Sequence, residues 1–277
     1  MSLVQVLIAP FAYDFMVRAF VAALVVGVLC SIVGCYVVVR RLSFIGDGIA
    51  HASFAGIVVA YLRHLDYYAG AAVMAVATAV GIGYITRRGR VSLDTAIGVL
   101  FTGAFALGVF LMSQLKNYAV DLQDYLFGNI LGVSQLDLTL TLLLAGIVAV
   151  VLVVFWRDLL YTSFDPVVAQ TSGIPTAWVD YALLVLLALT IIVSLESVGI
   201  ILVAALLVTP AAAAFQLTRR ITSMMLVSAC IGALCAVGGL YLSYYVNAAS
   251  GATIVLVATL CFFIALAIGR RAQGPIA

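Results

Sequence analysis

Charged residues are scarce in this 277-residue sequence. They make up 9% of the chain, and the acidic residues include a single glutamate, Glu196. Hydrophobic residues reach 66%, and the mean hydropathy is +1.29. This composition excludes a soluble domain with a polar surface and predicts an all-α polytopic membrane protein. The net charge of +2 says little, whereas the positions of the basic residues are informative.

Cysteine is also too sparse to form a disulfide framework. The five cysteines all lie within apolar stretches, and an odd number spread in this way argues against structural pairing. Two of the gaps are five residues long, which would place the sulfurs about 140° apart on a helix and disfavour a shared metal. We therefore interpret them as small packing residues. They are Cys30, Cys35, Cys230, Cys235 and Cys261.

Two further motifs are missing. The chain contains no GxxxxGK[ST] loop, so any ATP chemistry must come from another polypeptide, and we do not expect this chain to be an enzyme. No basic segment precedes the first apolar run, so Met1 to Phe15 is predicted to be a short interfacial segment and not a cleaved signal peptide.

Apolar windows predict nine membrane spans in a single transmembrane domain covering residues 1–277, with a short cytoplasmic helix at about 165–173. The predicted spans are Phe15 to Val39, Ser43 to Leu62, Tyr67 to Thr86, Thr95 to Gln114, Leu138 to Trp156, Pro175 to Leu195, Ser197 to Leu217, Ile221 to Val246, and Ala252 to Gly269. An eight-span alternative would fuse the sixth and seventh.

The basic residues support nine spans. With alternating spans, three basic residues (Arg18, Arg63 and Lys116) fall on one side, and the remaining ten share the other. This asymmetry predicts an outside N-terminus and a cytoplasmic C-terminus, as in a bacterial inner membrane. Eight spans would move two of the ten outside. The ten are Arg40, Arg41, Arg87, Arg88, Arg90, Arg157, Arg219, Arg220, Arg270 and Arg271.

Asp47 and His51 are the most informative pair in the chain. Because a span needs about 20 residues, the second span must begin near Ser43 and so carries both side chains into the membrane. Residues four apart share a helix face, and Ser43 lies one turn below them. Ionisable groups in hydrocarbon are costly unless paired or solvated, so the pair suggests an ion pathway. The alternative is that both sit in a wet cytoplasmic cap without a role.

Two connections between spans are long. The outer connection, Lys116 to Asp137, mixes acidic and aromatic residues, which fits an interfacial helix acting as a docking surface or gate, or an ordinary aromatic belt. The inner connection contains Asp165 as a helix N-cap, Pro166 at the first position and Gly173 as the stop. A helix of two turns is too short to be stable alone, so it must pack on the membrane domain or on a partner.

The seventh span contains Gly199 and Pro210, which predict an interrupted or kinked helix, a common transporter device. Glu196 lies near its outer end. It is either a metal entry ligand or a solvated loop acid, and its place at a span boundary favours the latter.

Four segments of the chain resemble the zinc/manganese/iron ABC-transporter permease family. In order along the chain they are Arg41 to Ala52, Asp94 to Gly98, Asp124 to Leu131, and Val198 to Ala212. Each segment is weak alone, but four in register are specific. The chain is more distantly similar to the vitamin B12 and siderophore permeases, which have an additional N-terminal helix.

The resemblance implies that two permease subunits, as a homodimer, surround a pathway for manganese, zinc or iron. It also implies cytoplasmic ATPase subunits and an extracytoplasmic metal-binding protein as partners, besides membrane lipid; no nucleic acid is implied. Asp47 and His51 match the family's proposed metal-path acid and histidine. Ser43 and Glu196 are weaker metal candidates because of their positions in the chain alone, and no family role carries over to Glu196. The implied ATPase-coupling residues are Asp165, Pro166, Val167, Val168, Ala169, Gln170 and Gly173.

A transported divalent metal would be cargo, and no permanently bound cofactor is expected. Two carboxylates and two imidazoles would nearly neutralise such an ion, and oxygen and nitrogen ligands suit Mn²⁺, Fe²⁺ or Zn²⁺. Two other functions remain open, an ATP-independent secondary carrier or channel and an intramembrane enzyme. The second has little support from one acid–histidine pair.

Overall fold

The computed structural model describes residues 9–89, 91–114 and 130–272. Eight residues of the predicted interfacial N-terminal segment, Arg90, and most of the predicted outer segment (115–129) lie outside the described residues. The helices are α1 (Asp14–Val39), α2 (Ile45–Arg63), α3 (Tyr67–Arg88), α4 (Leu93–Ser113), α5 (Gln135–Val154), α6 (Trp156–Phe164), α7 (Pro166–Thr171), α8 (Thr176–Val198), α9 (Ile200–Leu217), α10 (Ile221–Val246) and α11 (Ser250–Ala272). Short 3₁₀ turns cover Ala9–Ala12 and Ile130–Gly132.

In this described part of the chain, nine helices are long and apolar enough to cross a membrane. They are all the α-helices except α6 and α7, and none of their ends differs from the predicted spans by more than three residues. The nine-span prediction is therefore confirmed. The helix α6 was not predicted, because its residues were assigned to the end of the fifth span and to a loop.

Gly199 separates the sixth and seventh spans. Its backbone has φ 84° and ψ 162°, a conformation that glycine adopts easily and other residues avoid. One helix therefore ends at Val198 and the next begins at Ile200, which rules out the fused span of the eight-span alternative. Pro210 lies within α9, which is helical on both sides of it. The interruption predicted for this region is thus at the glycine.

The chain forms two compact units, and unit 1 comprises residues 1–38, 123–145 and 194–277. In it α9, α10 and α11 pack against one another. Small residues bring α1 close to them, since a methyl group added at Gly34 would overlap the backbone of Leu207. The hydroxyl of Ser228 donates to the carbonyl oxygen of Ser31 at 2.8 Å. Close backbone approach and interhelical hydrogen bonds replace the hydrophobic driving force that helices lack in lipid.

Unit 2 comprises residues 39–122 and 146–193, and α2 is its central helix. Both α3 and α4 pack on α2 and on each other. Gly56 and Gly70 allow the α2–α3 contact, because a methyl group on either would overlap the carbonyl oxygen of the other. The most apolar stretch of α2 is 67% buried, compared with 22% for α4. A central helix with polar residues is thus shielded from lipid by its neighbours.

Candidate functional site

The N-terminal end of α2 carries the predicted pair. The helix begins at Ile45, so Asp47 and His51 are its third and seventh residues, about 3 Å and 9 Å along the axis. Ser43 lies in the preceding turn and is exposed, so it is not one helical turn below the pair on α2. Both side chains are therefore about 3 Å nearer the helix end than a start at Ser43 would place them.

Asp47 and His51 form the only open strip on the first half of α2. Every other residue between Ile45 and Gly56 is buried, while these two side chains are half-buried. The helix has small residues at several of the buried positions, which permits α3 and α4 to approach closely. Packing thus directs the acid and the imidazole to the same accessible face.

A backbone hydrogen bond fixes the state of the His51 ring. Its Nδ1 lies 2.9 Å from the carbonyl oxygen of Asp47, and since a carbonyl can only accept, Nδ1 carries the hydrogen. In the neutral ring Nε2 then has a free lone pair, the arrangement found in most metal-binding histidines. The imidazole is therefore prepared to act as a ligand.

Two aromatic rings of α4 hold the imidazole from the side. The ring of His51 lies edge-on to Phe101 at 5.3 Å and to Phe105 at 5.8 Å between centroids. Phe105 in turn contacts Phe54 of α2. These contacts restrict rotation of the imidazole, and together with the Nδ1 hydrogen bond they fix its orientation.

Asp47 occupies the first turn of α2, where a carboxylate interacts favourably with the partial positive charge of the helix N-terminus. The same position has a purely structural use, because acids in a first turn stabilise many helices. A role of Asp47 beyond helix stabilisation is therefore tested by comparing its substitution with the same substitution of another first-turn acid, such as Asp94 of α4.

One chain supplies too few ligands for a complete metal centre. In the ranges that the structure describes, no three His, Cys, Asp or Glu side chains come together to hold an ion. Asp47 and His51 give two donors, whereas transition metals take four to six. Glu196 is in α8, and its side chain lies outside the described residues. Asp47 and His51 alone would therefore leave the coordination shell of such an ion incomplete.

The predicted short helix at Asp165 is present as α7. The Asp165 carboxylate accepts hydrogen bonds from the backbone amides of Val167 and Val168, both at 3.0 Å, and Pro166 takes the first position. Gly173, with φ 83°, ends the segment. Ala169 is fully buried, while Val167 and Val168 are 69% and 50% exposed. The helix therefore presents an apolar face without a partner in unit 2.

Arg40, which the sequence marked only as a cytoplasmic basic residue, joins two helices of unit 2. Arg40 donates to Thr162 (2.6 Å) and Ser163 (2.9 Å) of α6, and to Asp180 of α8 (2.6 Å). Arg87, at the end of α3, pairs with the other oxygen of Asp180. The sequence signal that could have revealed this cluster is Asp180, an acidic residue inside the sixth apolar span. This cluster also shows that Arg40, Arg87 and α6 lie at the same end of unit 2, as the charge asymmetry predicted.

Comparison with known proteins identifies the family. The profile of the ABC 3 transport family matches residues 12–269. The chain belongs to this family. It is 42% identical over 254 residues to the manganese transport system membrane protein MntC of Halalkalibacterium halodurans, covering 92% of this chain and 87% of that protein.

A second relative of this ABC 3 family member is named for iron transport. The chelated iron transport system membrane protein YfeD of Yersinia pestis is 40% identical over 257 residues, covering 93% of this chain and 86% of YfeD. Among solved structures, a chain of PsaBC from Streptococcus pneumoniae in complex with Fab matches with a TM-score of 0.84 and 35% identity, covering 95% of each chain.

The predicted membership of the metal-type ABC permeases is thereby confirmed, and the chain is a membrane-embedded transport permease. Three of the four segments that carried the resemblance lie in described helices or their caps: the start of α2, the start of α4, and the α8–α9 junction. Most of the remaining segment, Asp124 to Leu131, lies outside the described residues.

Proposed function

We propose that this chain is the permease of an ATP-driven importer for a divalent transition metal, and that two copies form the pathway. The observation that carries the proposal is that Asp47 and His51 are the only accessible residues of α2 between Ile45 and Gly56, and that Nε2 of the neutral His51 ring has its lone pair available. Metal reaches it from an extracytoplasmic binding protein, and separate ATPase subunits supply the energy. In this scheme the chain itself performs no ATP chemistry.

Pairing of two copies supplies the missing ligands. Two carboxylates and two imidazoles provide four donors and a charge of −2 against the +2 of the ion. A nearly neutral assembly is tolerated in a low-dielectric region where an unpaired ion is not. The pair on each chain lies close to the helix end, which allows metal to leave towards the cytoplasm without crossing the remaining length of α2.

Manganese and iron are the proposed cargo, with zinc as a further member of the same chemical class. The relatives named for manganese and for chelated iron support this range. Carboxylate and imidazole donors suit these ions, whereas soft Cu(I) prefers thiolates. Within one chain the open strip offers no cysteine, since Cys30, Cys35 and Cys235 are buried elsewhere, in α1 and α10.

The exposed apolar face of α7 is the proposed docking point for the ATPase. Val167 and Val168 project from a capped, well-formed helix, and exposed apolar clusters outside the membrane mark interaction sites. The arginine-rich helix ends near α6 support a cytoplasmic location for this face by the positive-inside rule. The same rule favours an outside N-terminus and a cytoplasmic C-terminus.

Uptake by the assembled transporter in proteoliposomes tests the proposal. His51→Gln and Asp47→Asn should each reduce ATP-dependent metal uptake by at least about tenfold, the cost typical of a lost ligand or its support. The controls are His64→Asn, at the far end of α2 where asparagine tolerates the φ of 53°, and Asp94→Asn, a first-turn acid of α4. Normal uptake by both site variants would disprove the pathway.

An ATP-independent carrier or channel is the second candidate, because the nine spans of the described part of the chain and a half-buried polar pair would serve it equally. It predicts metal flux through proteoliposomes that contain this chain alone under an imposed ion gradient. The importer predicts no such flux without the ATPase and ATP. The two functions are distinguished by adding the ATPase subunit and measuring whether uptake becomes dependent on hydrolysis.

A further inference from the structure

We propose that Arg40 is a positioning residue that transmits movement of the docking helix α7 to α2, the helix that carries Asp47 and His51. This inference rests on the proposed function, since it presumes that a partner displaces α7 during a transport cycle. All the residues that carry it belong to unit 2.

One side of the link is the contact between Arg40 and α6. Thr162 and Ser163 each donate their hydroxyl hydrogen to a carbonyl oxygen one turn earlier in α6, those of Asp158 and Leu159. Their oxygens are thereby oriented to accept from Arg40, which donates to both. The planar guanidinium is thus fixed to α6 by two bonds, one from Nε and one from a terminal nitrogen.

Helix α6 is joined tightly to α7. The amide of Asp165 donates to the carbonyl oxygen of Tyr161 in α6, and the carboxylate of the same residue caps α7. The two helices also pack against each other, with Leu159 and Ala169 buried. Because one residue ends the first helix and begins the second, a displacement of α7 is passed to α6.

The other side of the link is the turn into α2. Arg40 opens this turn, in which the Ile45 amide donates to the carbonyl oxygen of Leu42 and the Gly48 amide to that of Phe44. Arg41 is held at φ 58°, a left-handed conformation that costs a non-glycine residue about 1 kcal/mol and persists only where the surroundings enforce it. Leu42 is buried. A movement of Arg40, which lies seven residues before Asp47, is therefore passed to the start of α2 at Ile45.

Asp180 completes the network and keeps Arg40 in place. One carboxylate oxygen accepts from Arg40 and the other from Arg87, so Arg40 and the end of α3 are tied to the same carboxylate of α8. The Arg40 side chain is only 14% exposed. A cavity of about 180 Å³ borders all three charged side chains, which gives them room to exchange partners without unpacking the helices. Charged groups held by several fixed partners have few alternative arrangements, as expected of a switch element.

The test uses the transporter assembled with its ATPase and binding protein in proteoliposomes, measuring metal transported per ATP hydrolysed. Arg40→Gln should keep metal-stimulated hydrolysis while the transport ratio falls about tenfold, within the range by which residues on a coupling route change coupling. The matched control is Arg88→Gln, an exposed arginine at the end of α3 that contacts Tyr84 of its own helix. It should leave the ratio unchanged.

A second variant that changes the packing less shows whether the effect of Arg40→Gln is due to misfolding. Thr162→Val with Ser163→Ala removes the hydroxyls of α6 at nearly constant shape and should lower the ratio in the same way. Combining it with Arg40→Gln should add little, because both changes break the same link. Arg40→Lys should recover only part of the ratio, since an ammonium cannot reproduce the fork.

A positional readout distinguishes transmission from mere stability. A thiol placed by Phe44→Cys, at a position 69% exposed just before α2, should change its labelling rate with nucleotide in the otherwise unmodified transporter and lose that response with Arg40→Gln. A normal transport ratio in Arg40→Gln, additive effects of the two variants, or hydrolysis and transport falling in parallel with thermal stability would each overturn the inference. No ATP-dependent uptake by the unmodified assembly would instead overturn the proposed function.

Discussion

The Nδ1 atom of His51 lies 2.9 Å from the backbone carbonyl oxygen of Asp47, one turn earlier in α2. The bond assigns the ring hydrogen to Nδ1 and leaves Nε2 with its lone pair in the neutral imidazole. Asp47 thus contributes twice, by orienting the imidazole through its backbone and by placing a carboxylate on the same helix face. A pair of residues four apart is sufficient for both because their helix is buried on its remaining sides.

Metal retention should decrease as the pH falls, since a proton competes with the metal for Nε2 of His51. Equilibrium retention of Mn²⁺ by the purified, assembled transporter over a pH series would measure this. His51→Gln should retain less metal and lose most of the imidazole-dependent change, while His64→Asn should behave like the unmodified protein. An unchanged pH profile in His51→Gln would assign the effect to other groups, Asp47 among them.

Phe105→Leu should weaken metal binding about tenfold, because groups that orient a ligand are worth about that much. The phenylalanine packs on the His51 ring and on Phe54, and leucine keeps the bulk but not the flat edge contact. Binding affinity of the assembled transporter is the measurement. Phe110→Leu is the control, since this residue of the same helix is 60% exposed. Equal affinities for the two variants would mean that the ring does not orient His51.

Val167→Asp should detach the ATPase subunit. The substitution introduces a charge at the centre of the apolar face of α7 and should weaken association by about 2 kcal/mol, roughly thirtyfold. Copurification and titration of the ATPase would report it. Ser92→Asp serves as a control, because it adds the same charge at the N-cap of α4, where aspartate caps as well as serine. Association unaffected by Val167→Asp would place the docking surface elsewhere.

Gly56→Ala should destabilise the protein by about 1 to 3 kcal/mol, the usual cost of overpacking. The added methyl group overlaps the carbonyl oxygen of Gly70, so α2 and α3 must separate. Gly103→Ala, where an added methyl group meets nothing within 4 Å, should be neutral or stabilising by up to about 1 kcal/mol through helix propensity. Thermal unfolding of the purified protein in detergent checks both, and similar shifts for the two variants would contradict the close α2–α3 contact.

The spans were predictable because their cause is local. Each is an apolar run of the length that hydrocarbon thickness demands, and turn residues or charges end it. The α7 helix was predictable for a similar reason, since Asp165, Pro166 and Gly173 provide its start and stop within nine residues. The helix α6 escaped prediction because it continues directly from a span and has no boundary signal of its own except the turn at Phe155.

The sequence by itself determined the number of spans, the position of the acid–histidine pair on one helix face, the short helix α7 and the family. These follow from periodicity, hydropathy and short motifs, which act over a few residues. Only the tertiary structure decided that α2 is central in its unit, that Nδ1 of His51 is occupied, and that Arg40 joins the start of α2 to α6 and α8. The last of these relationships joins side chains more than 100 positions apart, such as Arg40 and Asp180, and only packing brings them together.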